Sequence, residues 1–156
     1  MTDALEEMYQ TVILDEYRNS RGKVPKVEAE FQSHQYNPTC GDDITVGIEV
    51  EDDRIVDITW SGSGCSISLA SASIASNLFL KRSTKEAREL IALFKELMNS
   101  KGAGLSDEKM DKLENAVAFM GTSRFPGRIK CVLLAWLGIL GAVETLEAQE
   151  NELSGK

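Results

Sequence analysis

Imidazole, thiol and positive charge are all scarce in this sequence. One histidine, His34, and three cysteines, Cys40, Cys65 and Cys131, are all that its 156 residues contain. That set gives no support to a hydrolytic triad, and neither a Gly-x-Ser-x-Gly nor a His-Glu-x-x-His motif occurs. Three is an odd count, whereas a secreted disulfide framework uses an even one. Basic residues are outnumbered, 17 Lys and Arg against 25 Asp and Glu, and the formal net charge is −8. There is thus no basic footprint to displace counterions from nucleic acid, nor one to grip an anionic membrane surface. No apolar run approaches the roughly 20 residues that span a bilayer. The best candidate, residues 129–143, is too short and carries Lys130. Residues 1–7 have neither a basic n-region nor an apolar h-region, so no signal peptide is expected. Internal repeats and low-complexity segments are missing as well. A reducing cytoplasm, where thiols stay free, fits these absences.

What is present suits a single domain over residues 1–150 with a frayed tail at 151–156. The 42% hydrophobic and 27% charged content is that of a soluble globular chain. Leu5, Met8, Tyr9, Val12 and Ile13 share one face of a helix expected over residues 3–19, with Asp3 and Glu6 as its capping signal. Residues 27–35 alternate weakly and are expected to form a strand. Ile44, Val46, Ile48 and Val50 alternate with polar neighbours, the cleanest strand pattern in the chain. Asp52-Asp53-Arg54 turns it into a second strand carrying Val56, Ile58 and Trp60. A glycine loop at residues 61–65 leads into an Ala- and Ser-rich helix over residues 66–80. Ser83 and Glu86 form a capping box for a helix over 84–99. A short helix over 107–119, a loop to residue 127 held by Pro126, and a last helix over 128–150 complete the chain. The fold class is α+β: a small antiparallel three-stranded sheet with helices packed on one side. Trp60 and Trp136 are expected in the core.

The cysteines stand at element boundaries. Cys40 and Asp42 straddle Gly41 in a turn, so both side chains can aim inward. Cys65 lies just before a helix N-terminus, and Cys131 in the first turn of the last helix. Unpaired N–H groups and the helix dipole favour a thiolate at both places. Three thiolates and a carboxylate are zinc-ligand chemistry. Arg128, one helical turn before Cys131, is the best-placed cation to offset their charge. From spacing alone, three buried core cysteines explain the pattern as well as a metal site does, and Asp42 alone reads equally as a turn residue bonding its own backbone. The glycine-containing loops around Cys40 and Cys65 weigh against burial. Gly62-Ser63-Gly64 lacks the third glycine of a dinucleotide loop and reads as a hinge for Cys65. His34 reads as a surface histidine, with a pH-dependent ligand or shuttle as the other reading.

Asn37-Pro38-Thr39-Cys40-Gly41-Asp42, Gly62-Ser63-Gly64-Cys65-Ser66-Ile67-Ser68 and Arg124-Phe125-Pro126-Gly127-Arg128-Ile129-Lys130-Cys131, with Leu134-Ala135-Trp136, together resemble the SufU branch of the IscU/NifU family of iron–sulfur assembly proteins. The resemblance implies the IscU/NifU-like α+β fold and a Zn²⁺ site of Cys40, Asp42, Cys65 and Cys131. It also implies a pyridoxal-phosphate-dependent SufS-type cysteine desulfurase as partner, with downstream SUF assembly components after it. A desulfurase histidine would replace one cysteine at zinc and free a thiolate to accept sulfur. Cys40 matches that acceptor, and Arg128 matches an arginine placed near the site and the partner. Two departures separate the chain from IscU-type scaffolds. Lys130 stands where they carry a histidine, and residues 124–127 stand where they carry a Leu-Pro-Pro-Val-Lys chaperone motif. These favour a zinc-dependent sulfurtransferase that accepts persulfide sulfur. The alternative is a scaffold on which a [2Fe–2S] cluster forms on the same cysteines. A third reading is a structural zinc module whose metal only holds the fold.

Overall fold

A computed structural model describes residues 3–154. The alternating stretch becomes the central strand, β2 (Asp42–Glu51), between β1 (Phe31–Asn37) and β3 (Arg54–Ser63), all antiparallel. Ile44, Val46 and Ile48 are buried, while a register shift at Glu49 and Val50 leaves Val50 half-buried. The turn is a two-residue loop. Asp52 and Asp53 both have positive φ, 53° and 64°, the backbone twist that matches a hairpin. β1 starts four residues later than the alternation suggests. Val27 and Ala29 are buried, but not by pairing in the sheet. They cover Gly47, where a Cβ would lie 2.5 Å from Val27 Cγ1.

The helices are α1 (Asp3–Asn19), α2 (Ser66–Leu78), α3 (Thr84–Met98), α4 (Asp107–Leu113) and α5 (Pro126–Ser154). The side chain of Asp3, the expected cap of α1, lies outside the described residues, as do residues 155 and 156. Ser83 and Glu86 form the full capping box of α3. α4 is shorter than its pattern implies because Glu114 adopts φ 51°, which no α-helix accepts, and the chain tightens into a 3-10 turn over Glu114–Phe119. A second 3-10 turn, Gly121–Arg124, occupies the expected loop.

α5 begins two residues early because proline suits the first helical position, and it ends at Ser154, inside the stretch expected to fray. It lies along β1 and β2. Gly138 and Gly141 permit the approach: a Cβ would fall 2.6 Å from Val46 Cγ2 at one and 2.4 Å from Ser33 Oγ at the other. Residues 126–153 are long and apolar enough to cross a membrane by length and composition, which the shorter run at 129–143 does not suggest. Yet 56% of that apolar window is buried inside the fold, as in a core helix. Trp136, from its buried face, stacks on Phe94 of α3 at 3.9 Å and meets Phe79 edge-on at 5.2 Å. Trp60 is buried as well.

α2 sits between α1 and α5 and is buried almost throughout. Ser68, Ser71, Ser73 and Ser76 are buried, so each of these hydroxyls must find a partner. Ser73 Oγ donates to Glu16 of α1 at 2.7 Å. Ser71 Oγ donates to the Val132 carbonyl at 2.6 Å and accepts from Trp136 Nε1 at 2.9 Å. The first bond holds α2 to α1, and the two Ser71 bonds fix α2 and α5 against each other beside Cys131.

Candidate metal centre

The β1–β2 register sets Asn37 opposite Asp42 and leaves residues 38–41 as the connecting turn. Gly41 takes φ 73° there, and its N–H donates to the Asn37 carbonyl at 2.8 Å. The turn lifts Cys40 to an exposed tip and drops Asp42, the next strand residue, to complete burial. Of the pair expected to point inward together, only Asp42 is buried.

β3 ends at Ser63, and Cys65 is the N-cap residue of α2. Gly64 is needed for close approach. A Cβ on it would lie 2.5 Å from Ser68 Oγ and 2.6 Å from Asp42 Oδ1. Cys131 lies in the second turn of α5, not the first, because the helix starts at Pro126. The dipole that would favour its thiolate has faded at that depth.

Three of the four expected ligands converge. Cys40 Sγ, Cys131 Sγ and a carboxylate oxygen of Asp42 lie within 4.8 Å of one another. The Cys131 thiol donates to Cys40 Sγ at 3.2 Å. Cys65, half-buried, is outside that tight group but attached to it, its N–H donating to Asp42 Oδ1 at 2.9 Å. Ser68 Oγ donates to the same oxygen at 3.2 Å. Asn37 Nδ2 reaches Asp42 Oδ2 at 3.3 Å and Cys131 Sγ at 3.6 Å.

Burial by itself would raise the Asp42 carboxyl. The Cys65 N–H, the Cys131 thiol, Ser68 and Asn37 outweigh it and hold the group below its usual range. Cys131 goes the other way. Burial, then its bonds to Cys40 and Asp42, then the negative charge of Cys65 and Asp42, push its thiol far above the ordinary range. Two thiolates and a carboxylate cannot all be charged this close, with Asp42 and Cys131 buried, without a cation. Together they are a donor set that fits zinc.

Arg128 is exposed, and among the described residues no carboxylate pairs with it. With Ser66 and Ile67, next to Cys65, it walls a cavity of about 730 Å³ between α1, α2 and the start of α5. His34 is not part of the centre. It is exposed on β1, with Nε2 2.7 Å from Asp43 Oδ1. Asn37 and Ser68 are the participants that sequence reasoning missed. Their sole signal was position, inside the Cys40 and Cys65 segments.

The NifU-like N-terminal domain family matches residues 8–132. The chain is 35% identical over 132 residues to the zinc-dependent sulfurtransferase SufU of Bacillus subtilis, covering 85% of this chain and 86% of that protein. It is 36% identical over 143 residues to the iron–sulfur cluster assembly scaffold protein IscU of Thermotoga maritima, covering 89% and 94%. A solved structure of a putative iron–sulfur cluster assembly scaffold protein for the SUF system, from Fervidobacterium islandicum AW-1, superposes with TM-score 0.70 at 28% identity, covering 85% and 93%. The N-terminal part of a NifU-like protein from Brucella abortus gives TM-score 0.79 at 16% identity, over 90% and 95%, a likeness of fold.

Proposed function

The chain belongs to the NifU-like N-terminal domain family, and on that premise we propose that it is a zinc-dependent sulfurtransferase of iron–sulfur cluster assembly. It accepts sulfur on Cys40 from the persulfide of a SufS-type cysteine desulfurase and passes it to downstream SUF components. The observation that carries this reading is the asymmetry of the centre. Cys40 is an exposed thiol on a turn, whereas Asp42 and Cys131 are buried and hydrogen-bonded behind it. Sulfur transfer needs one reachable nucleophile on a fixed base, and this arrangement supplies both.

Cys40, Asp42, Cys65 and Cys131 would hold the zinc. When bound, zinc keeps thiols deprotonated and has no redox chemistry of its own with which to consume a persulfide. The transfer is a thiol–persulfide exchange. The Cys40 thiolate attacks the outer sulfur of the partner's persulfide. A new S–S bond forms on Cys40, the partner's S–S bond breaks, and the electron pair leaves on the partner's inner sulfur as a thiolate. Arg128, exposed one turn before Cys131, supplies positive charge at the approach to the site. Free thiols suit a reducing cytoplasm.

Scaffolding of a [2Fe–2S] cluster on the same cysteines is the second reading, favoured by the relatives that carry the scaffold name. Lys130 and the Arg124-Phe125-Pro126-Gly127 segment support the relay instead. The test is alanine release from cysteine by a SufS-type desulfurase, with and without zinc-loaded protein and with no iron. Acceleration that disappears with Cys40→Ala, in a variant that still folds, is the expected result. Equal acceleration by that variant would rule out Cys40 as acceptor. No acceleration by the wild type would turn the assignment to the scaffold.

A further inference from the structure

We infer that Asn37 is a positioning residue whose buried amide ties Asp42 to Cys131, keeping these two ligands anchored so that Cys40, and not Cys131, is free to react. The inference rests on the zinc-centre reading above and assigns a part to a residue outside the ligand set. Asn37 is the last residue of β1 and 5% exposed. The hairpin register holds its backbone opposite Asp42, and its own carbonyl is occupied by the Gly41 N–H. The side chain is therefore delivered to the centre from a fixed backbone.

The two oxygens of Asp42 are treated differently. Oδ1 accepts from the Cys65 N–H and from Ser68 Oγ, so it is committed to holding α2. Oδ2 accepts from Asn37 and keeps a lone pair for a cation. The same Asn37 amide nitrogen donates to Cys131 Sγ, 94 residues away in sequence. Ser68 Oγ also meets two ligand residues, but at Cys65 it reaches only the backbone carbonyl; among the described residues, no other side chain outside the ligand set bonds to the ligating side chains of two of them. An amide N–H₂ is a donor on both hydrogens, the polarity that a carboxylate and a thiolate require. Cys40 has no such support: its described side-chain partner is the Cys131 thiol. Outer donors of this kind orient metal ligands, and their loss commonly weakens metal binding about 10–100-fold.

The test uses zinc alone as the probe. Wild type, Asn37→Ala and Asn37→Leu are loaded with zinc and titrated with a competing chelator. The loaded proteins are then alkylated with iodoacetamide, and each cysteine is followed by peptide mass spectrometry. In wild type, Cys40 is expected to alkylate first and Cys131 to stay protected. In both variants, zinc affinity should fall about tenfold or more, and Cys131 should alkylate nearly as fast as Cys40, with the Cys40 rate little changed. If Asn37→Ala fails to fold by circular dichroism, Asn37→Leu, of similar volume and without donors, carries the test. Unchanged zinc affinity and an unchanged order of alkylation in a folded variant would overturn the inference alone. Failure of wild type to bind zinc would overturn the zinc-centre reading and this inference together.

Discussion

Asp42 and Cys131 touch the same small volume, yet their acidities are driven in opposite directions. Four donors stabilise the carboxylate of Asp42, so its contribution to stability is present above the ordinary carboxyl range and lost as pH falls through its lowered value. Cys131 is buried against negative groups, and its folded pKa is raised. Its contribution is complete below the ordinary thiol value of about 8.5 and is lost as pH rises toward the raised one. The melting temperature of zinc-free protein should therefore fall as pH climbs above about 8.5. Zinc-loaded protein should lose less over the same range, because the metal binds the thiolate form. Calorimetry of both forms from neutral to alkaline pH checks this, and a flat zinc-free profile would mean that Cys131 is not buried as a thiol. Asn37 and Ser68 show what the sequence could not convey at this scale. The four ligand candidates stand out by residue type and by the segments around them. A donor to Asp42 is defined only once the hairpin register and the approach of α2 are known.

Among the elements, α2 and α5 decide where the second half of the centre lies. Ser71 is fully buried and bridges them, donating to the Val132 carbonyl beside Cys131 and accepting from Trp136. Ser71→Ala would leave the buried Trp136 N–H without that acceptor. The expected cost is about 1–3 kcal/mol in chemical denaturation, and a loss well below that would mean water or another group takes over the bond. β2 was legible because strict alternation has one simple cause, a strand buried on one face. β1 was shifted because Val27 and Ala29 alternate for a different reason, covering Gly47 from the far side of the sheet. The break after α4 had no composition signal, since it lies in the backbone of a glutamate, Glu114, at positive φ. The early start of α5 was open to reading, because proline is as good a first helical residue as it is a loop residue.

At the scale of the whole molecule, this is a −8 chain, and Arg128 is an exposed cation one turn before Cys131. Its side chain lies on the exposed rim while the Cys131 thiol, one turn on, is buried. Arg128→Ala should leave folding and zinc content intact and lower the alanine-release rate of the desulfurase pair. A matching loss of zinc would assign Arg128 to the metal instead of the approach. The fold as a whole presents one exposed thiol, Cys40, beside a half-buried Cys65 and above a buried Asp42 and Cys131, and that is the feature on which the proposed sulfur relay depends. The most direct measurement is peptide mass mapping of zinc-loaded protein mixed with persulfide-bearing cysteine desulfurase, without iron. One added sulfur on the peptide that contains Cys40, with Cys65 and Cys131 unmodified, is the expected result. Added sulfur on Cys65 or Cys131, with Cys40 unmodified, would contradict it.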